Sequence, residues 1–410
     1  MAALNRFSRS FSVWAAPFCL FCLLCCPLLG PGRAGAAETL PSEVPGLSLD
    51  DLRFMYNEMF SIGSRGSAGA VYRPTFVRVS DADLSMDNRE PVFIVHYPGG
   101  LTRIYPQSIL VWHEIVNDVV PDPNPGQSDP SGYGRYGGGR AETSGNSYTI
   151  SYSPLSGSVV AFRSKAGRYP TVFGSEGKLI NGNSVLFDQA SGSLWSQLLA
   201  VCIEGPLVGR RLERYPVYWA RWGGTKERYP QAEVLSRATG YKRTYGRDPY
   251  GSYYTPGNYY DDTRVYFPLS RRSDRLPPKE RILGLEMESI YGAISVAAVR
   301  DSRALNQTLG IFKLVALYDE EMDRVRVFES KLSNGTILNF QFFENKFMDT
   351  NTRSEWNSDG ECVYGRMRGT ALKPVLAIDS MWFAWFAFHP DTQILGAEAP
   401  PPRRGPDIPY

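Results

Sequence analysis

Cysteine is nearly missing from the body of this chain. Four of its six cysteines (Cys19, Cys22, Cys25 and Cys26) crowd near the N-terminus, leaving Cys202 and Cys362 for everything that follows. Two cysteines exclude a disulfide-stapled scaffold, and 410 residues are enough to bury a core without one. Histidine is scarce too, at three residues, which argues against a zinc site built on imidazoles. An excess of either charge is also lacking: a formal net charge of +2 carries no signature of a nucleic-acid or membrane-surface partner. No nucleotide motif is present, because GRYGGGR (Gly134 to Arg140) lies inside a Gly/Pro-rich stretch rather than between a strand and a helix. Past the leader, no hydrophobic run is long enough to span a bilayer.

What is there begins with a leader. Arg6 and Arg9 precede an apolar run from about Phe11 to Leu29, followed by Ala34-Gly35-Ala36. A basic segment, an apolar segment and a small-residue site in that order predict a signal peptide over residues 1–36. A retained anchor is the alternative. Cleavage after Ala36 would place the protein in the periplasm or outside the cell, with no membrane span remaining. Thirty-nine glycines, 30 prolines and 13% aromatics favour strands and turns over a helical bundle, so the expected class is a β-rich α+β fold.

Residues 37–89 form an N-terminal segment with one short helix, LSLDDLRFMYNEMF, capped by Ser48. EPVFIVHYPGG and LTRIYP then read as a hairpin. Across Arg103 to Val120 a helical period puts Ile109, Trp112, Val116 and Val119 on one apolar stripe. The same period gathers His113, Glu114, Asn117 and Asp118 on an adjoining arc. His113, Glu114 and Asp118 there are a candidate general base or hard-metal ligand set, or simply the polar flank of a core helix. Pro121 to Ser147 is a Gly/Pro/Ser-rich insertion, and YTISYS, SVVAF and KLINGNSVLFDQ resume as strands. Residues 236–279 form a tyrosine-rich connection containing Tyr250, Tyr253, Tyr254, Tyr259 and Tyr260. Such a stretch offers rigid contact area to a protein, peptide or glycan partner, or pins a long connection by packing. Residues 396–410 are a Pro-rich tail.

The chain also resembles itself. Ser191 to Leu212 matches Thr352 to Leu372, aligning Trp195 with Trp356, Cys202 with Cys362, Gly205 with Gly365 and Gly209 with Gly369. The Trp219–Trp222 pair is matched to Trp382–Trp385, and YPQAEVL to HPDTQIL. Two diverged tandem repeats, 90–235 and 280–395, packed as a pseudo-symmetric pair, are therefore expected. Tryptophans common to both copies are assigned to packing. Cys202 and Cys362 either pair across the pseudo-axis or stay separate as buried thiols. Repeat two carries AVRDSRALNQ where repeat one carries LVWHEIVND, so the His–Glu pair occurs once and any site belongs to repeat one.

RPTFVRVSDADL, EPVFIV, RIYPQSILVWHEIVND, YSPLSGSVVAF, GKLINGNSVLFDQASGSLWSQ and RLPPKERILG, in that order, resemble the bacterial domain of unknown function 3179 family over nearly all of the chain after the leader. The resemblance implies an exported or membrane-associated protein without an assigned activity. It also implies a Cys-x-x-Cys pair where this chain has Ser153 and Ser156. Serine stays protonated at neutral pH and binds soft metals poorly, so thiol chemistry implied by the family does not carry over. No G-x-S-x-G elbow or S-x-x-K lysine surrounds the serines. Two readings follow: a non-catalytic binding or structural member that has lost its thiol pair, or a metal-dependent or redox accessory enzyme centred on His113, Glu114 and Asp118.

Overall fold

The computed structural model describes residues 47–121, 146–167 and 169–396. The leader, most of the insertion after Pro121 and the C-terminal tail lie outside the described residues.

The described chain opens on α1 (Leu49–Asn57), where the Ser48 hydroxyl accepts from the Asp51 amide and the Asp51 carboxylate accepts from the Ser48 amide. That reciprocal capping satisfies two amides that the first turn would otherwise leave open. Strands β1 (Phe60–Ser61) and β2 (Phe76–Arg78) and helix α2 (Val79–Asp83) follow. The hairpin β3 (Pro91–His96) and β4 (Thr102–Pro106) leads into α3 (Gln107–His113) and β5 (Ile115–Val119). A second hairpin is β6 (Ser147–Ser153) with β7 (Ser158–Arg163), then a short ribbon, β8 (Lys165–Ala166) and β9 (Tyr169–Pro170). Next come β10 (Phe173–Ile180), β11 (Asn183–Asp188), β12 (Leu194–Ser196) and β13 (Val201–Glu204). β14 (Arg214–Tyr215), β15 (Tyr218–Arg221), α4 (Trp222–Arg228) and β16 (Glu233–Leu235) close the first half.

The connection up to Glu280 has neither helix nor strand. Beyond it lie β17 (Arg281–Met287), β18 (Ile290–Ser295), α5 (Val296–Ser302), β19 (Ala304–Leu309), β20 (Phe312–Asp319) and β21 (Arg324–Glu329). The chain finishes with β22 (Phe340–Phe343), β23 (Lys346–Asp349), β24 (Glu355–Trp356), β25 (Cys362–Tyr364), β26 (Lys373–Pro374), β27 (Ala377–Met381), α6 (Trp382–Phe388) and β28 (Gln393–Leu395). This is a β-rich α+β fold.

Six sheets carry the architecture. In the first half the strand orders are β15-β3-β4-β16-β2, β14-β7-β6-β5 and β1-β10-β11-β12-β13. In the second they are β27-β17-β18-β28, β19-β20-β21-β26 and β22-β23-β24-β25. β16 lies parallel to β4, and β28 parallel to β18. The halves interlock through backbone bonds: the Arg221 amide donates to the Met322 carbonyl at 2.6 Å, and the Met381 amide to the Ser156 carbonyl at 2.8 Å. All six tryptophans assigned to packing are buried.

The helix expected over Arg103 to Val120 is instead strand, helix and strand. Only Gln107–His113 is helical, and Glu114 ends it at φ 58°, ψ −30°. That left-handed conformation turns the chain so that Ile115, Val116 and Val119 enter a strand, where β-branched side chains fit well. β5 then pairs with β6, setting Ile115 opposite Ser151 and Asn117 opposite Thr149. The tryptophan alignment also shifts. Trp222 and Trp382 each open a helix, and their amides donate at 2.9 Å to the carbonyls of Glu90 and Glu280. Trp222 and Trp382 thus share one local setting, whereas the sequence alignment set Trp222 against Trp385.

Candidate functional site

His113, Glu114 and Asp118 do not converge. His113 is fully buried, with Nδ1 donating to the Gly69 carbonyl at 2.6 Å. In the neutral ring that leaves Nε2 to accept from the Tyr245 hydroxyl at 2.6 Å, which in turn meets the Thr239 hydroxyl at 2.5 Å. Burial holds His113 below its ordinary pKa. Its place is a structural pin between the N-terminal segment and the start of the tyrosine-rich connection. Asp118 lies one strand position past Asn117 and belongs to another network. Its carboxylate accepts from Arg103 Nη1 at 2.6 Å, from the Tyr105 hydroxyl at 2.5 Å and from the Tyr97 hydroxyl at 3.4 Å. The expected metal set is thus split among three separate networks, because the strand β5 replaces the helical turn that would have gathered them. Among the described residues, no group of three or more His, Cys, Asp and Glu is arranged around a cation position.

Glu114 goes to the serines. Its carboxyl accepts from the hydroxyls of Ser175 at 3.0 Å and Ser184 at 3.2 Å, and burial raises its pKa. The Ser153 oxygen lies 3.0 Å from the Ser184 hydroxyl and accepts from the Ser184 amide at 3.1 Å. Ser156 sits one turn away. Its hydroxyl is 2.9 Å from that of Ser158 and accepts from Asn183 Nδ2 at 3.0 Å. Asn183 also donates to Gln197 Oε1 at 2.8 Å and accepts from the Leu198 amide at 3.0 Å. Gln197 in turn donates to the carbonyls of Ser151 and Ser158 at 3.1 and 3.3 Å. Ser153, Ser156, Ser158 and Gln197 all have zero exposure. A nucleophile needs a base in reach, but the nearest carboxyl to Ser153 is one hydroxyl removed and favours its proton. Among the described residues, no hydrogen bond joins the Ser153 or Ser156 hydroxyl to a carboxylate or an imidazole.

The tyrosine-rich connection forms a strap over this cluster rather than a display of rings. Of Tyr250, Tyr253, Tyr254, Tyr259 and Tyr260, only Tyr254 is exposed, at 40%, while Tyr260 is buried. The Tyr253 hydroxyl meets that of Tyr152 at 2.9 Å, and the Tyr259 hydroxyl donates to the Leu155 carbonyl between the two serines. Tyr253 and Tyr260 stack at 3.8 Å, and Tyr260 donates to Asp248 at 2.7 Å. Of the two alternatives for these rings, packing describes four of the five, because apolar rings with polar tips gain more from the interior wall and its carbonyls.

A model of one family, described as "Protein of unknown function (DUF3179)", matches residues 67–125 and 141–392. The chain belongs to the DUF3179 family. No curated protein and no solved structure matches it. The break in the DUF3179 match falls inside the Gly/Pro-rich insertion, and the serine segment, Glu114 and the strap all lie within the matched range.

Cys202 and Cys362 are free, and they occupy separate cores. Burial pushes the Cys202 thiol up to about 12, so it behaves as a small hydrophobe. The pairing alternative is not what the fold contains. Reasoning from sequence overlooked Ser158, Ser175, Asn183, Ser184 and Gln197, whose one signal was polarity in or beside strands. No described helix is long and apolar enough to cross a membrane.

Proposed function

We propose that this protein is a non-catalytic, exported binding member of the DUF3179 family, in which Ser153 and Ser156 are structural. One observation supports this above others: both serines are unexposed, and their hydroxyls are held in a hydrogen-bonded cluster beneath the strap. A metal-dependent alternative would need His113, Glu114 and Asp118 to face a common point, and each faces a different network. Export rests on the leader pattern of residues 1–36.

We also infer that the fold is two diverged copies of one unit. Support comes from bonds made twice. Asn117 clamps both backbone groups of Phe173 at 2.8 and 2.9 Å, and Asn306 those of Phe340 at 2.8 and 2.7 Å. The indoles of Trp195 and Trp356 donate to Asp188 and Asp349 at 3.0 Å each. Glu114 and Arg303 end equivalent helices at φ 58° and 62°. Where the copies differ, at Glu114 and at the serine turn, the polar cluster belongs to the first.

One intact-mass experiment tests the functional reading. The exported protein is treated with a fluorophosphonate and its mass compared with the untreated chain. The expected outcome is a chain beginning at Ala37 with no adduct. A phosphonylated Ser153 or Ser156 would overturn the non-catalytic assignment, and a retained leader the export.

A further inference from the structure

Where the strap leaves the serine cluster it walls a second feature, a cleft of about 220 Å³ against Glu90 and the start of α3. Six side chains define its chemistry: Glu90, Gln107, Ser108, Asp248, Ser252 and Tyr254. Gln107 is 4% exposed and donates from its amide nitrogen to Asp248 at 2.7 Å, which leaves its amide oxygen without a donor among the described residues. Glu90 accepts from Ser108 through Oε1, and its Oε2 likewise has no donor among them. The Ser252 oxygen accepts from the Tyr254 amide at 3.1 Å, keeping its proton for an outside acceptor. Tyr254 is the exposed ring in the wall of this cleft.

We infer that this cleft binds a neutral, hydroxyl-rich ligand of the size of one sugar ring, with Tyr254 against its C–H face. The inference rests on the binding assignment above and names the ligand class. Three other classes fit worse. An anion would meet three carboxylates (Asp87, Glu90 and Asp248) with Arg89 as the one cation in the wall, itself paired with Asp87 at 3.4 Å. An apolar ligand would bury carboxylates and amides without partners, at a cost of about 1–3 kcal/mol for each polar group. A cation would have to displace Gln107 and Tyr260 from Asp248, both at 2.7 Å. A polyol needs none of these. Its hydroxyls donate to the open oxygens of Glu90 and Gln107 and accept from Ser252, and the volume holds about seven waters for it to displace. Polar groups left open along the wall of a cleft, beside a raised carboxyl such as Glu90, are what a ligand site looks like before occupation.

The test is calorimetry and saturation-transfer NMR on the mature protein with glucose, N-acetylglucosamine, glucuronate and putrescine. A neutral pyranose is expected to bind, and Tyr254→Ala to weaken it by about tenfold, the scale of one lost ring contact of about 1.4 kcal/mol. Tyr266→Ala, which removes another exposed ring outside the cleft, should leave the affinity unchanged. Binding of glucuronate or putrescine in preference to both neutral sugars would overturn the ligand class. No binding by any of the four would overturn the site, while a partner captured elsewhere on the surface would leave the binding function standing.

Discussion

Asp118→Ala is expected to cost about 3–5 kcal/mol of folding stability, the usual result of breaking a buried charge pair from one side. Asp118 is 1% exposed and Arg103 is 7%. Removing the carboxylate strands the Arg103 guanidinium, whose remaining carboxylate partner, Glu233, is 45% exposed. It also takes the acceptor from the Tyr105 hydroxyl, to which Tyr97 is bonded in turn at 2.7 Å. Burial raises both phenols well above their ordinary pKa, so they remain donors in need of an acceptor at any working pH. Asp118→Asn keeps an acceptor for the phenols and should lose clearly less. Urea midpoints with unchanged slope would separate the two variants. A loss below about 1 kcal/mol for the alanine variant would mean that the pair is no more than a surface bridge.

The same residue shows how far the sequence could be read. Polar residues at 113, 114, 117 and 118 fit a helical arc, and the apolar set 109, 112, 116 and 119 fits a helical stripe. Both patterns are weak evidence over a stretch this rich in Ile and Val, where a strand fits as well. The deciding event is local: Glu114 takes a left-handed conformation, which a sequence reveals only when glycine or asparagine occupies the position. Once the chain turns there, Glu114 joins Ser184 while Asp118 joins Arg103, and the metal set dissolves. The hairpins, by contrast, were legible. EPVFIV with LTRIYP combines β-branched runs with a Gly-Gly turn and pairs as expected, and YTISYS and SVVAF, read as strands, pair with each other.

The serine cluster was half legible. Ser153 and Ser156 stood out because the family resemblance implies cysteines there, but the rest of their network comes from β10, β11 and the residue after β12, far apart in sequence. Asn183 and Gln197 supply amide groups that serve two hydroxyls and three backbone groups at once. Such a network can only be seen after the sheets are assembled, since no periodicity encodes which polar residues will meet. The direction of the strap's rings stayed open for a related reason. The strap's Gly and Pro content correctly excluded regular structure, yet composition alone cannot say which face of a loop its rings occupy. Their direction follows from acceptors that the rest of the chain presents: the Leu155 carbonyl, Asp248 and the Tyr152 hydroxyl.

His389→Phe should stabilise the protein, and by more as the solution is made acid. His389 is 5% exposed and lies between Tyr291 and Trp385, with ring centroids at 4.1 and 4.3 Å. Its Nε2 is buried without a hydrogen-bond partner. Phenylalanine keeps both ring contacts and removes the stranded nitrogen, for a gain of about 1 kcal/mol at neutral pH. The acid limb is larger. Burial holds the folded-state pKa near 3 against an ordinary 6.5, with the pull of Glu286 opposed by Arg214 and Arg211. Between those values the unfolded chain takes up a proton that the folded one refuses, so stability falls as pH drops from 6.5 toward 3. Each pH unit in that window removes about 1.4 kcal/mol, and the variant is free of this loss. His96, held near 4 by burial, and His113 act with the same sign, but they are present in both proteins and cancel in the difference. So do the raised carboxyls of Glu90, Glu114 and Asp379, whose contribution runs the other way. Urea unfolding of both proteins at intervals from pH 7 to pH 4.5 should therefore give curves that diverge below 6.5, by about 3 kcal/mol at the acid end. Parallel curves would show that the folded protein admits the proton, and that water or a carboxylate reaches the ring.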